Sequence, residues 1–94
     1  MIFDLVINYS RAANRFIEMN PQQLSFRKME ELLEKAVKKL NGIEINVDVC
    51  EMKDFRYKYY RLRKGKIRIL LTYEKGVIHV VNVEEIGFRG DIYK

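Results

Sequence analysis

The apolar positions between Leu24 and Leu40 follow the spacing of one face of a helix. They recur every three or four residues, and Glu and Lys fill most of the positions between them. Asn20 and Pro21 have the composition of an N-cap and a first helical residue, and Asn41-Gly42 is typical of a C-terminal stop. The pattern therefore predicts an amphipathic helix that begins after Asn20 and ends near Leu40.

The segment before this helix predicts a strand and a shorter helix. Residues 2–8 are mostly apolar, with β-branched side chains among them, as in a short strand. Ser10 is expected to cap a helix over residues 11–19, because a serine hydroxyl accepts a hydrogen bond from the free N–H groups of a first helical turn. The first half of the chain is thus predicted to run strand, helix, helix.

Beyond Gly42 the hydrophobic period changes from that of a helix to that of a strand. Residues 43–50 alternate between apolar and polar, which predicts a half-buried strand or an extended arm, paired beside the first strand or shielding the sheet. Strands are expected over residues 55–63, 67–73 and 77–84, joined by short connections that contain glycine. The chain is therefore predicted to form one α+β domain over residues 1–94, with a helical hairpin packed on an antiparallel β meander.

The first predicted hairpin of the meander groups three arginines on one face, called the arginine face below. Residues that stand directly opposite each other on paired strands point to the same side of a sheet. A two-residue turn, at either Gly65-Lys66 or Lys64-Gly65, then brings together Arg61, Arg63 and Arg68. The opposite face, which the helices are expected to cover, receives Tyr60, Leu62, Ile67, Ile69 and Leu71.

The same logic extends the arginine face across the next hairpin. With a turn at Lys75-Gly76, Arg68 stands opposite Val83. In that register Thr72 stands opposite His79. We therefore expect Thr72, His79 and Val83 to lie on the arginine face.

Net charge and its placement favour a polyanionic partner. The chain has 18 Lys and Arg against 13 Asp and Glu, and six of the basic residues fall between Arg56 and Lys66. This pattern favours nucleic acid, because guanidinium groups suit phosphate and the rings of Tyr57 and Tyr59 can stack on unpaired bases. The alternative is a solvated face whose charges discourage aggregation at the sheet edge. The predicted RNA-binding residues are Lys58, Tyr59, Lys64 and Lys66.

The remaining composition favours a cytoplasmic protein. Cys50 is the only cysteine, so no internal disulfide can form, and a single thiol suits a reducing compartment. No apolar run approaches the length that spans a bilayer, and the first ten residues lack the basic start and cleavage site of a secretory signal. We expect no membrane association, no metal and no cofactor.

Two motifs in the second half of the chain resemble those of the RelE/ParE toxin superfamily of toxin–antitoxin systems. A middle strand of that family commonly reads Y-R-x-R-x-G-x-Y-R, and the chain closes with G-H-R-x-x-x-Y. The residues that match the first motif are Tyr60, Arg61, Arg63, Gly65 and Arg68, and those that match the second are Gly87, Arg89 and Tyr93. The predicted order of elements is also RelE-like, so the resemblance covers the whole chain and is most specific over residues 60–94.

The resemblance implies a toxin that a cognate antitoxin protein holds inactive in a hetero-oligomer. RelE-like members cut messenger RNA on the ribosome, without a metal, by attack of the RNA 2′-hydroxyl on the neighbouring phosphate. Arg61 and Arg63 stand where the family places two basic residues. Arg68 stands where the family places a phosphate-binding arginine, and Arg89 stands where it places a second arginine. Tyr93 stands where the family has a tyrosine that stacks on the substrate base. All five are predicted to be catalytic, and an acidic antitoxin segment is expected to wrap the basic sheet or the helices.

The chain departs from the family pattern at positions that concern proton transfer. Both basic positions are arginines, which stay protonated in proteins and make poor bases. Phe88 stands where many members have a histidine, and Ile67 and Leu71 stand where tyrosines are common. The titratable candidates for proton transfer are Lys58, Lys64, Lys66 and His79. This pattern is consistent with a weaker nuclease, or with one that relies on groups of the ribosome.

Two other functions remain open at this point. A ParE-like toxin would inhibit DNA gyrase by binding, without cutting RNA, and its toxicity would not need Arg61 or Arg68. A non-catalytic nucleic-acid-binding module would bind RNA with a salt dependence that Arg68→Ala lowers by about one phosphate contact.

Overall fold

A computed structural model describes residues 4–53 and 58–88, which form two helices and a five-stranded mixed sheet. The predicted α+β class is confirmed. Across the sheet the strand order is β1-β5-β4-β3-β2, with β1 parallel to β5 and the other neighbours antiparallel. The elements in chain order are β1 (Leu5–Tyr9), α1 (Arg11–Met19), α2 (Phe26–Leu40), β2 (Asp48–Lys53), β3 (Lys58–Lys64), β4 (Ile67–Glu74) and β5 (His79–Phe88).

The core lies between the helices and the inner face of the sheet. The residues predicted to face the helices from β3 and β4 are all buried. This confirms the predicted assignment of the residues of the first hairpin to the two faces of the sheet. Helix and strand side chains that are almost completely buried form one cluster, which includes Ile17, Met29, Leu33, Val37, Leu62, Ile69, Leu71, Val81 and Val83.

The start of α1 is confirmed and that of α2 is wrong. Ser10 caps α1 as predicted, with its Oγ accepting a hydrogen bond from Ala13 N at 3.0 Å. Asn20, predicted to cap α2, is instead the C-cap of α1, where its Nδ2 donates to Phe16 O at 2.8 Å. Because that side chain satisfies a carbonyl of α1, the N–H groups of α2 need another acceptor, which Ser25 provides.

The alternating segment over residues 43–50 forms a strand only toward its end. β2 covers Asp48–Lys53 and pairs with β3, at the opposite edge of the sheet from β1. Residues 43–47 form no strand. Asp48 pairs with Arg63, and β3 reaches its turn just beyond Arg63, so these residues have no neighbouring strand with which to form backbone hydrogen bonds. They run instead beside the end of α2, where Lys39 Nζ donates to the carbonyl oxygen of residue 47 at 2.8 Å.

The second hairpin of the meander differs from the prediction in both its loop and its register. β4 ends at Glu74 and β5 begins at His79, so the loop is longer than a two-residue turn at Lys75-Gly76. Thr72 pairs with Asn82 in place of His79, and the register shifts again between residues 70 and 71. The displacement from His79 to Asn82 is an odd number of residues, and an odd shift exchanges the two faces of a strand. His79 and Val83 consequently lie on the inner face, both buried, and Arg68 stands opposite residue 87.

His79 belongs to a buried hydrogen-bond network. Its Nδ1 is hydrogen-bonded to the hydroxyl of Tyr73, and the two rings are stacked. The same hydroxyl accepts a hydrogen bond from Asn41 Nδ2 at 2.8 Å, and Asn41 is the C-cap of α2. The network therefore ties the end of α2 to β4 and β5.

Tyr73→Phe is expected to lower the free energy of unfolding by about 1–3 kcal/mol, since it removes two partly buried hydrogen bonds. Thermal unfolding measured by circular dichroism should show a Tm lower by roughly 4–8 °C for each kcal/mol. Tyr9→Phe is the matched control, because the buried Tyr9 hydroxyl has no hydrogen-bond partner among residues 4–53 and 58–88. Equal Tm values for the two variants would contradict a stabilising role for the network.

Candidate nucleic-acid interface

The β3–β4 hairpin closes through the two-residue turn predicted at Gly65-Lys66. Gly65 has a φ of +59°, in the left-handed region that glycine enters without strain. Arg63 pairs directly with Arg68, which is the register of this turn and excludes a turn at Lys64-Gly65. A tight turn with fixed parity therefore places the two guanidinium groups side by side on neighbouring strands.

All three arginines of the predicted arginine face lie on the outer face of the sheet, away from the helices. Arg61 precedes Arg63 by two residues on β3 and stands opposite Leu70. Its side chain is 21% exposed, and that of Arg63 is 38% exposed. The pairings of β4 with β5 add Thr72, Asn82 and Glu85 to this face. The face is thus basic at its β3 side and polar toward β5.

Asp48, which the sequence analysis missed as a site residue, lies against two of these arginines. It is the residue of β2 that pairs with Arg63, and Arg63 Nε donates to its Oδ2 at 2.7 Å. Arg61 Nη2 lies 3.9 Å from Asp48 Oδ1. The only signal in the sequence was that Asp48 occupies a polar position of an alternating segment, and the pairing of β2 with β3 decides what it faces.

Asp48 does not satisfy all of the donors of the two arginines. Arg61 Nε is buried and has no hydrogen-bond acceptor in the described part of the chain. A buried N–H without an acceptor is costly, so the position of Arg61 is maintained at the expense of one unsatisfied donor.

A basic groove of about 350 Å³ leads from the arginine face around the hairpin turn to α2. The basic side chain that α2 contributes to it is Lys35, which lies among the polar positions of the helix. The groove holds four basic side chains against one carboxylate, a composition that suits a phosphate chain. Its lining residues are Leu32, Lys35, Asn46, Val47, Asp48, Arg63, Lys64, Gly65 and Arg68.

The four predicted RNA-binding residues occupy different places. Tyr59 lies on the same face of β3 as Arg61, whereas Lys58 and Lys64 lie at the two ends of β3 with the opposite parity. Lys64 nevertheless lines the basic groove, and Lys66 is exposed in the turn. The predicted RNA-binding lysines that lie near the basic groove are therefore those at the turn of the β3–β4 hairpin.

Two of the four proton-transfer candidates, His79 and Lys58, are poorly placed for acid–base chemistry beside the arginines, whereas Lys64 lines the basic groove with Arg63 and Arg68. His79 was predicted on the arginine face, but it is buried on the inner face against Tyr73. The charge of Tyr60, followed by the charge and hydrogen bond of Glu51, raises the pKa of Lys58 above its ordinary value, which keeps Lys58 protonated at neutral pH.

Phe88 packs inward and does not face the arginines. Its ring lies 5.2 Å from that of Phe16 on α1, measured between centroids, and it pairs with the buried Ile67. Phe88, which stands where many members of the family have a histidine, therefore packs β5 against α1.

Arg89 and Tyr93, both predicted to be catalytic, lie outside the described residues, as does Tyr57. Because Arg68 pairs with Gly87, the end of β5 lies beside the arginine face. Within residues 4–53 and 58–88, no group of three or more His, Cys, Asp or Glu side chains is placed to hold a metal ion. Neither helix of the described part is both long and apolar enough to cross a membrane.

Compared with known proteins, the chain matches no family model, no curated protein and no solved structure.

Proposed function

We propose that the chain is the toxin of a type II toxin–antitoxin system, a RelE-like endoribonuclease that cuts messenger RNA on the ribosome. The observation that carries the proposal is the convergence of Arg61, Arg63 and Arg68 on one outer sheet face. Arginines held this close favour an anionic ligand, because their mutual repulsion otherwise opposes folding.

In the proposed reaction the 2′-hydroxyl of a ribose attacks the neighbouring phosphorus and the 5′-oxygen of the next nucleotide leaves. One P–O bond forms and one breaks, which yields a 2′,3′-cyclic phosphate and a 5′-hydroxyl end. The phosphate gains negative charge in the transition state. Guanidinium groups fixed on a sheet stabilise that charge without reorganising, which is the largest contribution that such a site can make.

Proton transfer is assigned mainly outside the described site. The hydroxyl must lose a proton and the leaving oxygen must gain one, yet the three arginines stay protonated and His79 lies on the opposite face. The ribosome and its bound RNA supply groups for this purpose, which agrees with a nuclease that acts only on ribosome-bound message. The arginine face then contributes charge stabilisation and in-line positioning.

The partner proposals follow from the same charge distribution. An acidic segment of the cognate antitoxin is expected to cover the arginine face and the basic groove, folding as it binds. Occupation of the same guanidinium groups by antitoxin carboxylates would exclude RNA, which explains inhibition in a toxin–antitoxin hetero-oligomer of the cytoplasm.

The proposal is tested by primer extension on messenger RNA translated in a cell-free system with purified, antitoxin-free protein. Cuts are expected within codons in the ribosomal A site. The same RNA should stay intact when initiation is blocked, because the ribosome is part of the site. Intact message in the presence of folded protein under active translation would rule the nuclease out.

A ParE-like inhibitor of DNA gyrase is the second candidate, and Asp48 is the observation that favours it. A carboxylate in contact with Arg63 and close to Arg61 lowers the positive potential that a phosphate transition state needs. That candidate predicts DNA breaks trapped with gyrase, together with intact message in the translation assay.

A further inference from the structure

The carboxylate of Asp48 lies against two guanidinium groups of the arginine face. Its two oxygens contact Arg63 at 2.7 Å and approach Arg61 at 3.9 Å, and its side chain is 48% exposed. We propose that Asp48 is an internal competitor for phosphate, which sets the anion specificity of the arginine face. The inference depends on the proposed function only in naming RNA as the natural ligand.

Competition follows from the chemistry of the contact. Arg63 Nε has one hydrogen to donate, and Asp48 accepts it. A phosphate that takes this hydrogen must displace the carboxylate, so one charge-assisted hydrogen bond replaces another and the net gain is small. A phosphate that binds the Nη hydrogens of Arg63 instead lies near the carboxylate and is repelled by its charge. A single phosphate therefore binds weakly at Arg63.

A chain of phosphates can overcome this competition. Arg68 lies directly opposite Arg63, and Lys35 and Lys64 line the same groove as Asp48. Phosphates next to the one that displaces Asp48 can bind these further basic side chains. Each such contact adds to the affinity without competition from the carboxylate. The site therefore selects a polyanion, such as single-stranded RNA, over inorganic phosphate.

A purely structural role explains the position of Asp48 less well. Asp48 lies on the edge strand β2 and is half exposed, as is Arg63, and ion pairs of this kind contribute little to folding stability. Its effect on the local potential is large by comparison, because the carboxylate lies within 3.9 Å of two guanidinium groups.

The test is titration of the full chain with inorganic phosphate and with a short oligouridylate, at fixed ionic strength. The Nε–H signals of Arg61 and Arg63 in NMR spectra provide the local readout. Asp48→Asn keeps the shape and removes the charge, and Asp48→Ala removes the acceptor as well. Both variants are expected to bind inorganic phosphate about 10-fold and the oligouridylate about 3-fold more tightly than the wild-type chain, with shifts at the two arginines, so the preference for the oligouridylate should fall. When the oligouridylate titration is repeated at several salt concentrations, the slope of log K against log salt should steepen by roughly 0.7, the contribution of one phosphate contact.

Glu51→Gln is the matched control. It removes the same charge from the same strand, but Glu51 pairs with Lys58 at 3.4 Å and has the opposite parity to Asp48. Unchanged or weaker binding by both Asp48 variants would overturn the inference, and so would an equal gain from Glu51→Gln. Cleavage is scored separately: tighter binding by the Asp48 variants without any message cleavage supports the inference and refutes the nuclease. Message cleavage with unchanged phosphate binding does the reverse.

Discussion

Arg61→Ala is expected to slow messenger RNA cleavage by about 10²- to 10³-fold, the usual effect of removing one fixed donor to transition-state charge. The side chain of Arg61 is 21% exposed, against 38% for Arg63, and its buried Nε has no acceptor in the described residues. It is therefore held in place before the ligand arrives. The measurement is the single-turnover rate on ribosome-bound message, with RNA affinity measured in parallel to separate binding from catalysis.

Arg27→Ala provides the matched control for charge. Arg27 lies on α2 with its side chain 91% exposed and 3.9 Å from Glu31, and it does not line the basic groove, so its removal changes net charge equally without altering the arginine face. Cleavage by this variant should stay close to that of the wild-type chain. Equal cleavage rates for Arg61→Ala and Arg27→Ala would show that Arg61 takes no part in cleavage. If Arg61→Ala also kept full toxicity in cells, a ParE-like mode of action would be favoured.

Leu62→Ala is expected to lower the free energy of unfolding by about 2–5 kcal/mol, because it opens a cavity in the middle of the core. Leu62 is 0% exposed and points from β3 toward the helices, whereas its neighbours Arg61 and Arg63 point outward. Domains of this size are stable by about 5–15 kcal/mol, so the variant should lose a large part of that stability. Thermal unfolding should show a Tm lower by roughly 4–8 °C for each kcal/mol lost.

Leu70→Ala is the control for this substitution. Leu70 lies on the outer face opposite Arg61 and is only half buried, so the same atoms are removed without a core cavity. Its Tm should fall by much less. Equal losses for the two leucine variants would show that the inner and outer faces of the hairpin are wrongly assigned.

Local patterns predicted well those features that depend on residues close together in the chain. The spacing from Leu24 to Leu40 predicts α2, and Ser10 predicts the start of α1. The Gly65-Lys66 turn predicts the face of three arginines, because two strands joined by a tight turn have a fixed parity. Asn20 failed as a signal since an asparagine suits either end of a helix, and only the folded chain shows which end uses it.

The second hairpin shows why the rest of the site was not predictable. Its loop extends beyond Lys75-Gly76, and the register shifts between residues 70 and 71. The longer loop exchanges the two faces of β5 near His79, and the register shift reverses that exchange from Glu85 onward, without any change in the apolar pattern of β5. His79 therefore moved from the arginine face to the core, and Asn82 took the position opposite Thr72.

The two helices, most strand segments and the arginine face of the first hairpin follow from local patterns, namely a hydrophobic period or one tight turn. The pairing of β2 with β3 and the packing of α2 beside the hairpin turn are features of the folded chain. Those two contacts bring Asp48 to Arg63 and Lys35 into the basic groove. They depend on the pairing and packing of elements distant in the chain, where the total buried apolar surface and the backbone hydrogen bonds select one register.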